Sequence, residues 1–327
     1  MAVCAVGGLV VFLAAMAVMG LICGPSGSAG TSLKLLLGLY TPDGDAVLKT
    51  IIWQLRFPRV LAAAGAGATL ALGGLTFQAL LRNPLSEPYI LGVSGGSAIG
   101  GIIGILMGLS RFPGTGLTAF AGSLTVLGGI LVLNAGTGMI RKDALLLSGV
   151  MVNAFCSAVI LFLISLTQDA RLHTIMFWLM GDLSAISRPA LEPYLIVILP
   201  CFCMVFYYAQ PLNLLLTGPE MALSMGVNVH RTVRVLLVLT SLMVSMTVSY
   251  CGLIGFVGLV IPHILRAMLG PDHRVLVPAC ILGGGGYLIV CDVLARTLPG
   301  QGEMPVGVIT AMIGAPVFIG LLKRRQW

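Results

Sequence analysis

Four stretches of this chain, residues 1–33, 60–81, 89–110 and 235–265, contain no Asp, Glu, Lys or Arg. A helix needs about 20 residues to cross the hydrocarbon core of a bilayer, and each stretch reaches or exceeds that length. The composition agrees: of 327 residues 58% are apolar and 9% charged, against roughly 25% charged in a soluble domain. A soluble enzyme, a disordered chain and a disulfide-stapled secreted domain are excluded. Seven of the eight cysteines lie inside apolar runs, where Cys acts as a small hydrophobe, and none has metal-ligand spacing. What remains is an all-α polytopic membrane protein with one transmembrane domain over residues 1–327.

Apolar runs bounded by charge or proline mark helices near 2–22, 60–81, 90–109, 117–136, 144–166, 193–209, 235–251, 252–264, 275–291 and 304–322, which makes ten spans. The first lacks the basic start of a cleavable signal peptide. The count turns on 235–264, an uncharged run of 30 residues. That is longer than one span, and Gly252, Gly255, Gly258 and Pro262 make its second half a poor continuous helix, so it divides at Tyr250-Cys251-Gly252. Lys323-Arg324-Arg325 follow the last run and are expected to be cytoplasmic, which with ten spans puts both termini there. Helix length carries this choice, because ten spans place 10 of the 18 Lys and Arg inside and nine would place 12. The net charge of +7 is read as loop cations of this kind and not as a nucleic-acid surface.

Gly92, Gly96, Gly100, Gly104 and Gly108 recur every four residues along the third span and form a smooth stripe, the pattern that lets helix backbones approach closely. The four glycines from Gly283 to Gly286 in the ninth span read the same way. Asn134, Asn153, Ser157 and Ser165 are the notable polar side chains of the fourth and fifth spans. Asn153 and Ser157 share a face and line either a wet path for a polar solute or a contact with a neighbouring helix. No ionisable side chain sits in the middle of a span, which disfavours an ion-coupled secondary transporter, since those place titratable groups near the midplane. The four histidines have no ligand spacing, so no metal site is assigned, and no catalytic constellation is present. No lysine ends a Gly-rich phosphate loop, so nucleotide hydrolysis, if it drives transport, belongs to another chain.

Two features lie outside the spans. Thr217-Gly218-Pro219-Glu220-Met221-Ala222-Leu223-Ser224-Met225-Gly226 spells a short helix: Thr217 or Gly218 can cap it, Pro219 fits its first turn, Glu220 suits its positive end and Gly226 stops it. Met221, Leu223 and Met225 have no membrane to enter, so this helix either packs on its own protein or docks into a partner's groove. At the other surface, Arg56, Arg59 and Arg296 stand at the edges of apolar runs, each with its head expected in water. Lipid anchoring, pairing with Asp45, Asp292 or Glu303, and docking of a partner's carboxylates compete for them.

Seven segments in order from about residue 50 onward resemble the iron-chelate and cobalamin (FecCD-type) permease family of ATP-binding-cassette importers. They are Arg56-Phe-Pro-Arg59-Val-Leu-Ala-Ala, Gln78-Ala-Leu-Leu-Arg-Asn83-Pro84-Leu-Ser-Glu-Pro88, Leu91-Gly-Val-Ser94-Gly-Gly, Trp178-Leu-Met-Gly181, Gly255-Phe-Val-Gly-Leu-Val-Ile-Pro262-His263-Ile-Leu-Arg266, Asp292-Val-Leu-Ala-Arg296 and Pro305-Val-Gly-Val-Ile-Thr-Ala-Met-Ile-Gly314-Ala-Pro316. The resemblance implies a type II importer permease of ten helices in a bacterial or archaeal cytoplasmic membrane, paired with a second copy or paralogue. Two ATPase subunits, holding ATP and Mg, would bind one face, and a substrate-binding protein would deliver cargo at the other. The segment 213–228 would be the coupling helix, and Arg56, Arg59 and Arg296 would receive glutamates of the binding protein. Lys142 and Asp143 would belong to an inner gate, with Asn153 and Ser157 on the path. A ferric siderophore is the expected cargo, with cobalamin or haem as alternatives.

Overall fold

The computed structural model describes residues 2–24, 29–36, 46–133, 142–167, 169–184, 186–299 and 302–324. Among these every regular element is helical: α1 (Ala2–Ile22), α2 (Ala29–Leu36), α3 (Ala46–Thr50), α4 (Phe57–Leu81), α5 (Val93–Leu106), α6 (Gly116–Leu133), α7 (Lys142–Ser165), α8 (Asp169–Leu179), α9 (Arg188–Tyr207), α10 (Ala209–Thr217), α11 (Pro219–Ser224), α12 (Val229–Cys251), α13 (Val257–Leu269), α14 (His273–Thr297) and α15 (Val306–Arg324). Among the described residues seven helices are long and apolar enough to cross a bilayer, and three shorter apolar ones, Val93–Leu106, Val257–Leu269 and Val306–Leu321, bring the total to ten. The break in the 30-residue run falls where expected: α12 ends at Cys251, Gly252 takes φ +71°, and α13 begins at Val257.

The second span departs from its expected bounds. α3 runs through a π-turn, Ile51–Arg56, into α4, so the helix is 35 residues long from Val47 and Arg56 and Arg59 lie within it. At about 1.5 Å per residue it is longer than the bilayer core is thick by roughly 20 Å. Two further helices went unforeseen: α2, and α8 between the fifth and sixth spans.

α4 is the centre of the bundle, buried along almost its whole length and packed on α9, α12, α13 and α14. Its Ala- and Gly-rich sequence explains why. A Cβ added at Gly67 would strike the carbonyl of Gly284, and one at Gly74 the carbonyl of Gly258, so α14 and α13 each cross α4 backbone to backbone. The stripe on α5 works in the same manner, with Gly96 against Gly122 and Gly100 against Thr118 on α6. Gly92 and Gly108 flank the helix at φ +68° and +72°, where their role is conformational.

The α4–α13 contact also carries a polar clamp. Pro262 has no N–H to give to the carbonyl of Gly258 four residues earlier. Gln78 of α4 supplies the missing donor, its Nε2 lying 3.1 Å from Gly258 O, while its Oε1 accepts from Arg266 at 3.2 Å. The non-helical backbone between α12 and α13 is satisfied from the α4–α5 connection. Tyr89 Oη donates to Ile254 O and accepts from Ile254 N, and Phe256 N donates to Glu87 Oε1. Irregular backbone inside a membrane bundle requires this kind of enclosure.

Candidate functional site

One end of the bundle carries the three arginines, and the structure corrects the expectation that their heads stay in water. Arg56, Arg59 and Arg296 are 4%, 7% and 2% exposed. Arg59 Nε meets Asp292 Oδ1 at 2.8 Å and its Nη1 meets Glu303 Oε2 at 2.7 Å. Arg296 lies 3.1 Å from the other Asp292 oxygen, as an ion pair without hydrogen-bond geometry, and donates to Gly20 O at 3.2 Å. Arg56 Nη1 donates to Leu21 O and Ile22 O, both at 2.9 Å. The last carbonyls of a helix have no partner within it, and at α1 two guanidinium groups from α14 and the π-turn fill that need at the negative end of the dipole. Pairing with Asp292 and Glu303 is therefore the observed use of Arg59; Asp45 lies outside the described residues. Glu303 is the accessible member of the cluster, its side chain 34% exposed while Asp292 is fully buried.

A second ion pair ties the α5–α6 connection to the segment between α8 and α9. Arg111 Nη1 meets Asp182 Oδ2 at 2.7 Å and its Nη2 donates to Asp182 O at 2.9 Å. Burial pushes the Asp182 carboxyl up, but Arg111 and Ser184 outweigh it and hold the group below the usual carboxylate range.

The opposite end holds the short helix. α11 starts with Pro219 after Gly218 at φ +134° and stops at Gly226, φ +82°. Thr217 does not cap it, because its hydroxyl donates back to Leu214 O. Ala222 is buried, whereas Met221, Leu223 and Met225 are 50%, 54% and 58% exposed. The hairpin of α10 and α11 is pinned to the core at two places. Arg82, which ends α4 in the left-handed region, donates to Leu215 O. Asn213 donates to Asp272 Oδ1 at 2.7 Å and its Oδ1 accepts from His273 N, fixing α10 to the start of α14. The Arg274 N–H and the Asn213 amide hold the Asp272 carboxyl below its ordinary range.

The expected path residues lie on α7, whose exposed side carries Met151, Phe155, Leu161 and Phe162. Asn153 is half-buried near Gly95, and Ser157, exposed, donates to Asn153 O at 2.9 Å. Lys142 and Asp143 open α7, but their side chains and all of Asn134 are outside the described residues. The arginine cluster and the α10–α11 hairpin lie at opposite ends of α4, on Arg59 and Arg82.

The sequence reading missed Gln78, Glu87, Tyr89, Asp182 and Asn213. Glu87 carried a readable signal, since it is a polar residue in a quoted motif directly before Pro88, whereas the use of Gln78 depends on Pro262 of another helix.

A bundle of ten apolar helices with buried charge at one end and a short helix with exposed apolar side chains at the other has the build of a polytopic membrane permease, and its architecture is that of a type II importer permease. Residues 7–324 match the FecCD transport family, and the chain belongs to that family. It is 41% identical over 292 residues to the vitamin B12 import system permease protein BtuC of Klebsiella pneumoniae, covering 88% of this chain and 87% of that one. The corresponding BtuC of Salmonella schwarzengrund is 40% identical over 275 residues, 84% and 83% of the two chains. A solved structure described as an inward-facing conformation of a metal-chelate type ABC transporter superposes with a TM-score of 0.87 at 31% identity, covering 98% of this chain and 99% of that one. The PsaBC structure from Streptococcus pneumoniae, at 16% identity and a TM-score of 0.57, shares the fold.

Proposed function

We propose that this chain is the membrane-spanning subunit of a cobalamin importer driven by separate ATPase subunits. The observation that carries the cargo is the likeness, at 40–41% identity over more than four fifths of each chain, to permeases named for vitamin B12 import. This replaces the siderophore expected from the sequence. In this reading α11 rests on the ATPase, a second permease copy or paralogue covers the exposed side of α7, and Asn153, Ser157, Lys142 and Asp143 belong to the path and its gate. A substrate-binding protein docks at the arginine end. Because Arg56, Arg59 and Arg296 are buried, docking there requires a partner carboxylate to take the place of Glu303 on Arg59.

The test is uptake by proteoliposomes holding the permease with its own ATPase and binding protein, supplied in turn with cyanocobalamin, a ferric hydroxamate and haem. ATP-dependent accumulation of cyanocobalamin alone is the expected result, and accumulation of the ferric chelate in its place refutes the cargo. Leu223→Asp sets a charge into an apolar contact, so it should strip the ATPase from the complex while the permease still inserts.

A further inference from the structure

Beside α11 lies a cleft of about 270 Å³ that the chain does not fill. Its walls are apolar: Phe77, Leu80 and Leu81 at the end of α4, Leu223 of α11, and Val233 and Leu237 of α12. Arg82, Glu220 and His230 stand around it. Two of these walls, α4 and α12, are rigid, since Phe77, Leu80, Leu81 and Leu237 belong to the buried core. The third is α11, which hangs between Gly218 and Gly226, two glycines with open space where a Cβ would stand.

We propose that this cleft receives one large apolar side chain, aromatic or long aliphatic, from the ATPase subunit. The joint is then reciprocal, α11 entering the ATPase and an ATPase side chain entering the permease behind α11. The proposal rests on the assignment of α11 to the ATPase interface made above. Three features select this occupant. The cleft is continuous with the exposed face of α11, because Leu223 both lines it and is half exposed. An apolar pocket ringed by charged groups has the anatomy of an interface hot spot, where the ring excludes water and an aromatic anchor fills the centre. The charges around it have both signs, which suits a protein surface better than the single anionic head of a lipid.

The ATPase chain that co-purifies with the tagged permease from its native membrane is first identified by its phosphate-binding loop, and the two are then co-expressed. A p-benzoylphenylalanine placed at His230 should, on irradiation, cross-link to the ATPase at a stretch bearing an exposed large apolar residue. Val233→Phe fills the cleft and should lower the ATPase retained per permease at least fivefold, whereas Val238→Phe, on the exposed side of α12, should leave it unchanged. Cross-links confined to α11 or to lipid, or full ATPase retention by Val233→Phe, overturn the proposal. Leu223→Asp separates the two levels. If it strips the ATPase while Val233→Phe does not, the cleft proposal alone fails; if it leaves the ATPase in place, the α11 assignment fails as well.

Discussion

The clamp between α4 and α13 gives the sharpest test of how this bundle is held. Gln78→Leu removes the donor 3.1 Å from Gly258 O and the acceptor 3.2 Å from Arg266. Gly258 O cannot turn to its own helix, because position 262 is proline. A buried carbonyl left without a donor costs about 1–3 kcal/mol. Interhelical hydrogen bonds within membranes, measured by double-mutant cycles, average nearer 0.6 kcal/mol because the unfolded reference also finds partners, so a loss of about 1–2 kcal/mol is expected. Pro262→Ala returns an N–H at the position that pairs with Gly258 O. In that background Gln78→Leu should cost less by about 1 kcal/mol, the part owed to the orphaned carbonyl, leaving the Arg266 contact as the remainder. Unfolding of all four variants by dodecyl sulfate in mixed micelles, followed by circular dichroism, measures the cycle. Equal cost of Gln78→Leu in both backgrounds would falsify the view that Gln78 acts as a substitute donor for the proline gap.

Gly100→Ala should destabilise the bundle by about 1–3 kcal/mol, because its Cβ meets the Thr118 carbonyl, while Gly129→Ala, in open space on α6, should be neutral or mildly stabilising; equal melting of the two variants would remove the packing role of the stripe. Asp292→Asn leaves Arg59 and Arg296 short of their buried partner and should cost about 3–5 kcal/mol, against about 1 kcal/mol or less for Glu303→Gln at the half-open rim, and the reverse order in detergent melts would disprove the burial argument. The Asp182 carboxyl is depressed in the folded protein, so its pair with Arg111 contributes stability above the unfolded value of about 3.9 and loses it as pH falls through the folded value. Asp182→Asn should therefore be less stable than wild type at pH 7, with the gap narrowing as pH falls below the unfolded value, whereas a constant difference down through the acid range would show that the ion pair is not the source.

Much of the architecture was legible because the bilayer imposes one rule on sequence, namely that backbone groups in lipid must pair within a helix and be covered by apolar side chains. Charge-free length therefore located ten helices, and Gly252 and Pro262 located the break inside 235–264. Periodicity also found the α5 stripe, since a four-residue repeat places small residues on one face whatever the neighbour is. The short helix α11 was readable from Gly218, Pro219 and Gly226, whose backbone preferences are local.

The arginine end was not readable in the same way. Arg59 and Asp292 are 233 residues apart, and nothing along the chain says that α14 delivers a carboxylate to that depth. An Arg at the edge of an apolar run looks solvated until its neighbours are known, so the start of the second span was set near residue 60 when the span begins at Val47. The same holds for Gln78, whose value depends on a proline 184 positions away on another helix. The sequence by itself determined where helices can exist, because helix formation and burial in lipid depend on residues a few positions apart. Only the tertiary structure decided which polar groups meet, because a guanidinium, a carboxylate or an unpaired carbonyl is satisfied by distance in space, and the close Gly67–Gly284 and Gly74–Gly258 crossings set those distances.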